Sequence, residues 1–511
     1  MDTLLSLLPL IALLFCLLVL KYPASRAAAI SVFIAIISAF LFFGVDSFGL
    51  SIAISKGLSL AVYVLLIIWA AIFLYNTVYE FGAIDVINKN IVIFIKDPFV
   101  QFLLLSWLFS SVLQGIAGFG VPVIIVVPIL ISLGFDPLKS VAAVLLGHSW
   151  SVSFGSMGSS FFTIFLVTNL DQQSIGYSMI IFDFVAMILM GISVAYIYGG
   201  MKYVKKALYY IIPSSIVMLG VMLVVVYLNL VSLVGLLSAL SGFTTMYILY
   251  KLKDKKDKKI VLYKSDINLF DSLLPYIIII VLSLLFPVLN LDRFNLAFKF
   301  PEYTTALGYF VKAESAYSKI KLFGHPAPII VFSAVIAMFN YKRAGIFNRD
   351  RLKKVLNNTV SKSINTSITL FFLISMALVM MDSGMTTTLA NSVAKLTGSI
   401  YPLVAPFFGV LGSFITGSNT NSNVIFGKFQ VSVAESLMVN PYVMAGLQSI
   451  SGSIGVSLGP TTILMAASAS GMTGREADIY SKVIKPVILS ALILGIVNYI
   501  LLFVVKINIG M

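Results

Sequence analysis

Runs of about 20 mostly apolar residues, the length an α-helix needs to cross a bilayer, recur from one end of the chain to the other. They include residues 4–20, 27–44, 58–78, 176–198, 207–228, 270–290 and 487–506. Lipid offers backbone N–H and C=O groups no partner, so such runs must form helices that close their hydrogen bonds internally. Composition agrees, with 59% apolar and only 11% charged residues, against roughly a quarter charged in soluble domains. The expectation is an all-α, polytopic membrane protein of roughly 12–14 spans.

The net charge of +14 does not point to nucleic acid, because the Lys and Arg residues fall in short loops between apolar runs. That is the pattern of cytoplasmic loops. Lys202, Lys205 and Lys206, the run Lys251 to Lys259, and the cluster from Lys342 to Lys354 are placed inside, as are Lys21 and Arg26. Counting crossings from these loops sends 58–78 inward and 362–382 outward. It leaves 291–323 as a long external loop and both termini outside. The first run starts with Asp2 instead of a basic region, so it reads as a retained helix, not a signal peptide. No transit peptide is visible, and a cell membrane is the expected location. Cys16 is the lone cysteine, and His148 and His325 are the two histidines. No disulfide, metal site or cofactor is therefore expected, and a membrane enzyme is disfavoured for want of an acid/base constellation.

Landmarks recur at a nearly constant separation of about 300 residues, the kind of periodicity that marks an internal repeat. Glu80-Phe81-Gly82 matches Asp382-Ser383-Gly384, Pro98 matches Pro402, Pro137 matches Pro441, and Gly158 matches Gly459. With 58–78 and 362–382 running in opposite directions, the two copies form an inverted repeat, a signature of secondary transporters. The expected division is 1–57 as N-terminal helices, 58–168 as the first copy and 169–361 as connecting helices and loops. Residues 362–472 form the second copy and 473–511 a C-terminal helix.

Each copy contains apolar segments interrupted by small and polar residues. These are QGIAGFGVP (114–122) with GHSWSVSFGSMGSS (147–160), and GSFITGSNTNSN (412–423) with SGSIGVSLGPTT (451–462). Broken backbone at membrane depth is viable only where protein buries it or where it lines a watery cavity, so these breaks mark a ligand site. Close helix packing by small residues is the bland alternative.

The motifs AGFGVP (117–122), GFDPLKS (134–140), FGSMG (154–158), SGM (383–385), FITGSNTNSNVIFGKFQ (414–430) and GMTGREADIY (471–480) resemble those of the L-lactate permease family. The resemblance runs over essentially the whole chain. It implies a proton-coupled symporter for lactate, glycolate and related 2-hydroxy monocarboxylates, in a superfamily built from inverted repeats. Ser418-Asn419-Thr420 is also similar to the SNT element at hairpin tips of related anion symporters. The chain departs from the family pattern in carrying Gln114 and Asn419 where acidic residues are frequent.

Helix N-termini freed by a break offer N–H donors and a positive dipole to a carboxylate. The expected substrate site comprises Gly118, Phe119, Gly120, His148, Ser156, Gly158, Ser418, Asn419, Thr420, Ser422, Asn423, Thr461 and Thr462. The glycines allow close backbone approach, Phe119 faces the substrate methyl, and the remaining residues supply polar contacts. Ionisable residues inside spans are functional candidates by default, so His148, Glu80 and Asp382 are candidates for proton coupling. His148 alternatively sits neutral and satisfied, and Glu80 and Asp382 alternatively mark helix ends at the interface. The expected partners are a small organic anion with a co-transported proton in preference to Na⁺, the lipid bilayer and no nucleic acid, with homo-oligomerisation left open. Sodium coupling, another organic anion, or a passive channel are the rival readings.

Overall fold

The computed structural model describes residues 2–118, 120–253, 267–289 and 294–510. Phe119 and most of the basic run from Lys251 to Lys259 lie outside the described residues. The fold is helical, as the apolar runs require. Among the described residues 11 helices are long and apolar enough to span a membrane, or up to 12 when a bent pair counts as one. That is the lower edge of the expected number.

The first half runs through α1 (Asp2–Leu14), α2 (Ala24–Phe42), α3 (Ser47–Glu80), α4 (Ala83–Phe94), α5 (Pro98–Leu103), α6 (Ser110–Ile116), α7 (Val121–Ser132), α8 (Pro137–Gly147), α9 (Gly155–Thr168) and α10 (Gln172–Gly199). Two helices, α11 (Met201–Tyr227) and α12 (Val234–Lys253), lead to α13 (Leu269–Val288), α14 (Pro326–Arg343) and α15 (Arg349–Asp382). The chain closes with α16 (Met385–Thr397), α17 (Tyr401–Thr416), α18 (Asn419–Ser436), α19 (Pro441–Gly455), α20 (Pro460–Ala469) and α21 (Glu476–Tyr499).

Local chemistry sets many of these boundaries. Asp97, Asp136 and Asn440 each precede a proline and cap the helix that follows, with side-chain oxygens 2.9 Å from the N–H groups of Phe99, Lys139 and Tyr442 respectively. Proline suits the first helical position because the N–H it lacks would have no partner there. The longest helices, α3 and α15, have 34 residues each. Each ends at a glycine in the left-handed region, Gly82 (φ 79°) and Gly384 (φ 83°), so the chain turns sharply into α4 and α16.

Helices α3 and α15 pack antiparallel. Lys56 Nζ donates to Asp382 Oδ2 at 3.1 Å, Trp69 Nε1 to Ser367 Oγ at 2.9 Å, and Asn76 Nδ2 to Thr359 Oγ1 at 3.0 Å. Residue numbers thus fall along one helix as they rise along the other. Helix α2 lies on α15 and α14 on α3, while α1 touches α16 and α13 touches α4.

The polar segment expected as an external loop contains strands β1 (Asn295–Phe300), β2 (Tyr303–Thr304), β3 (Phe310–Val311) and β4 (Glu314–Lys321). β1 pairs antiparallel with β4 and β2 with β3. Phe298 stands opposite Tyr317, and Phe300 packs edge-on against Tyr317 with ring centroids 5.6 Å apart. Such cross-strand aromatic contacts stabilise a short ribbon. The ribbon is tied to the turn between α2 and α3 by Ala306 N donating to Gly44 O at 2.8 Å.

Between apolar helices in lipid, association depends on close packing of small residues. A methyl group on Gly147 would overlap the Ser106 carbonyl oxygen, whereas one on Gly220 would meet nothing. Gly147→Val is therefore expected to cost more than the about 1–3 kcal/mol of ordinary overpacking, because backbone cannot step aside. The monodisperse fraction of detergent-extracted protein should collapse for Gly147→Val and be unchanged for Gly220→Ala.

Candidate substrate site

The helix interruptions read from the sequence are present, and four of them meet. The chain leaves α6 at Ala117 and enters α7 at Gly120, and it breaks between α17 and α18 at Gly417-Ser418. Short 3₁₀ turns, Ser149–Val152 and Val456–Leu458, follow α8 and α19 before the chain resumes as α9 and α20. At the start of α9, Ser156, Met157 and Gly158 have φ of 48°, 54° and 84°. Two consecutive non-glycine residues in the left-handed region carry backbone strain that persists only where the surroundings hold it.

Side-chain hydrogen bonds bind the four breaks together. Gly118 N donates to Ser156 Oγ at 2.8 Å. Asn419 Nδ2 donates to Ser153 Oγ at 3.1 Å, while Ser153 N donates to Ser453 Oγ at 3.0 Å. Ser453 Oγ in turn donates to Ser149 O at 2.5 Å, and Ser457 Oγ to Leu145 O at 2.9 Å. Asn423 Nδ2 reaches both Ser160 O (3.1 Å) and Ser449 Oγ (3.0 Å), and the hydroxyls of Ser160 and Thr420 lie 2.9 Å apart. These side chains satisfy polar groups at depth that lipid would leave unpaired.

Beside this network is a cavity of about 660 Å³. Of the residues expected at the substrate site, Gly118, Gly120, His148, Ser156, Ser418, Asn419, Thr420, Thr461 and Thr462 line it. Others do not. Ser422 donates to Gly409 O at 2.9 Å and Asn423 belongs to the network behind the wall. Gly158 faces Phe162 and Ser232. Phe119 lies outside the described residues.

His148 is buried, with Nδ1 2.5 Å from Val144 O. A carbonyl only accepts, so Nδ1 carries the hydrogen of the neutral ring and Nε2 keeps a free lone pair. Glu80 and Asp382 are elsewhere. Glu80 accepts from Asn358 Nδ2 at 3.2 Å, and Asp382 is paired with Lys56 in a second cavity of about 190 Å³, which Glu314, Tyr317 and Lys428 also line. Lys56, the partner of Asp382, was not singled out in the sequence.

The sequence reading also passed over one wall of the 660 Å³ cavity. Lys362, Asn365, Thr366 and Thr369 of α15 line it, at the i, i+3, i+4, i+7 spacing that puts side chains on one helix face. The stripe lies in the polar N-terminal half of α15, and residue order alone does not tell that this face meets a cavity. Among the described lining residues there is no aspartate or glutamate, and nowhere among the described residues is a group of three or more His, Cys, Asp or Glu placed to hold a metal.

Residues 2–505 match the family model described as L-lactate permease. The chain belongs to the L-lactate permease family. Among the relatives of this family member, an L-lactate permease of Streptococcus iniae is 28% identical, over 87% of this chain and 93% of the relative. An L-lactate permease of Escherichia coli (strain K12) is 25% identical, over 98% of this chain and 95% of the relative. A glycolate permease from the same strain is 24% identical over the same shares. The family and these relatives are permeases, not enzymes, and this family member is a multi-pass membrane protein.

Proposed function

We propose that this family member is a secondary active transporter of a small monocarboxylate, L-lactate first and glycolate or other 2-hydroxy acids besides, moved in symport with a proton by alternating access. The relatives' names supply the substrate class. The observation that carries the reading is the convergence of four backbone breaks on one polar cavity whose described lining holds donors and no carboxylate. The carboxylate is bound at the N-terminal end of α18, where free N–H groups and the helix dipole favour an anion, with Asn419, Thr420, Ser156 and Thr461 adding side-chain contacts. His148 Nε2 is the group that takes and releases the proton.

The inverted repeat belongs to this proposal. Six elements from α3 to α9 and six from α15 to α20 follow the same order, counting α5 and α6 as one, and the antiparallel packing of α3 and α15 supports opposite orientation. The neighbours extend the correspondence, α1 and α2 to α13 and α14, and α10 to α21, beyond the limits of 58–168 and 362–472. One copy rocking or sliding against the other then opens the cavity to each side in turn. The protein is placed in the cell membrane, and the loop charges support both termini lying outside.

Uptake of labelled L-lactate into proteoliposomes under an inward proton gradient is expected to exceed equilibrium and to collapse with an uncoupler. Absence of uptake across a panel of monocarboxylates, in vesicles of demonstrated integrity, overturns the reading. One observation favours sodium as the coupling ion instead. Asn419 Oδ1 and Asn423 Oδ1 are buried without a hydrogen-bond donor, and oxygen atoms of this kind suit a hard cation. Replacing Na⁺ by choline separates the two, since proton symport continues and sodium symport stops.

A further inference from the structure

The 660 Å³ cavity has a charge as well as a shape. Lys362 is the one Lys or Arg among its described lining residues, and no aspartate or glutamate joins it there. No carboxylate among the described residues forms an ion pair with Lys362. Glu80, which acts on it electrostatically without touching it, is engaged by Asn358 at 3.2 Å. The ammonium is instead held by neutral groups, with Nζ 3.2 Å from Asn76 Oδ1 and 5.0 Å from the centre of the Tyr75 ring. Tyr75 itself lines the cavity.

The stripe to which Lys362 belongs is graded. Lys362 and Asn365 are exposed, Thr366 is half-buried and Thr369 is buried, so the lysine stands at the open end and the hydroxyls lead inward. An unpaired cation at the mouth of a narrow cavity concentrates anions there, because low-dielectric walls focus its field.

We propose that Lys362 recruits the substrate carboxylate and selects for negative charge, passing the anion along Asn365, Thr366 and Thr369 to the donors at the start of α18. Asn76 and Tyr75 hold the ammonium in place without neutralising it. A snorkelling lysine that only anchors α15 would leave the charge selectivity of the cavity unchanged when replaced by a neutral side chain. The inference rests on the anion-transport reading above, and its test separates the two.

Cys16 is buried and is the chain's single cysteine, so Cys16→Ser provides a background for Thr366→Cys. In full-length protein in inside-out vesicles, a sulfonate-bearing thiosulfonate should label that cysteine about fivefold faster than a trimethylammonium-bearing one, after correction for their rates with a free thiol. Lys362→Gln should abolish the preference and Lys362→Arg should keep it. In uptake by inside-out vesicles, which present the cytoplasmic mouth where Lys362 stands, and with residue 366 as threonine, Lys362→Gln should raise the KM for lactate about tenfold with Vmax within about twofold, the pattern expected from losing electrostatic capture. Equal labelling rates with Lys362 present, or a preference that survives Lys362→Gln, overturns the proposal. So does a loss of Vmax and melting temperature with KM unchanged. If the labelling preference behaves as expected but the parent protein takes up no monocarboxylate, the transport reading fails and the role of Lys362 as an anion selector stands.

Discussion

Asn419→Ala should reduce initial uptake by about 5- to 150-fold, the equivalent of about 1–3 kcal/mol for one buried polar interaction lost at the centre of a coupled network. Asn419 joins the break between α17 and α18 to that between α8 and α9 through its bond to Ser153. Ser153 in turn touches Ser449 and Ser453 of α19. Alanine removes the donor at the point where the helix breaks meet and withdraws a polar atom from the cavity wall. Membrane insertion and extraction yield should be unaffected, since the apolar spans are untouched. Arg475→Ala is the contrasting case. Its bond to Asp478 lies at an exposed surface, where ion pairs contribute little, and uptake should match the parent. Parent-like uptake by Asn419→Ala would sink the placement of the site.

The second large effect is on stability. Lys56 and Asp382 form a pair 3.1 Å apart whose side chains are only 5% and 12% exposed. Removing one partner of such a pair strands a charge away from water and costs about 3–5 kcal/mol, whereas replacing both with apolar residues of similar size is often neutral. Asp382→Ala should thus lower the midpoint of SDS-induced unfolding in mixed micelles substantially, and Lys56→Met combined with Asp382→Leu should restore most of it. Equal destabilisation by the single and double changes would show that the pair is not coupled. The double variant also tests coupling. Retained uncoupler-sensitive uptake would remove Asp382 from the proton pathway and leave His148 and Glu80.

Much of this was legible in residue order because it depends on local or one-dimensional rules. The spans follow from apolar length, and several breaks follow from glycine, proline and serine in places a continuous helix tolerates poorly. Nine of the expected site residues line one cavity for that reason. Where sequence reasoning erred or fell silent, the determinant was a neighbour distant in the chain. Asp382 does end α15, but its pairing with Lys56 was not legible because the two lie 326 positions apart. Lys362 was absorbed into a span because nothing local says which side of α15 meets a cavity. Ser422 and Asn423 were grouped with Asn419 by adjacency, although a helix places successive side chains about 100° apart and sends them to different surroundings.

The amino-acid sequence by itself determined that this is a polytopic helical membrane protein of the L-lactate permease family with interrupted spans, since the bilayer leaves apolar runs no other way to satisfy their backbone. Only the tertiary structure decided which polar residues share the cavity, that Asp382 is paired with Lys56, and that a strand ribbon occupies the long polar loop. Those outcomes depend on contacts between helices far apart in sequence, and hydropathy along a single chain carries no record of which faces will meet.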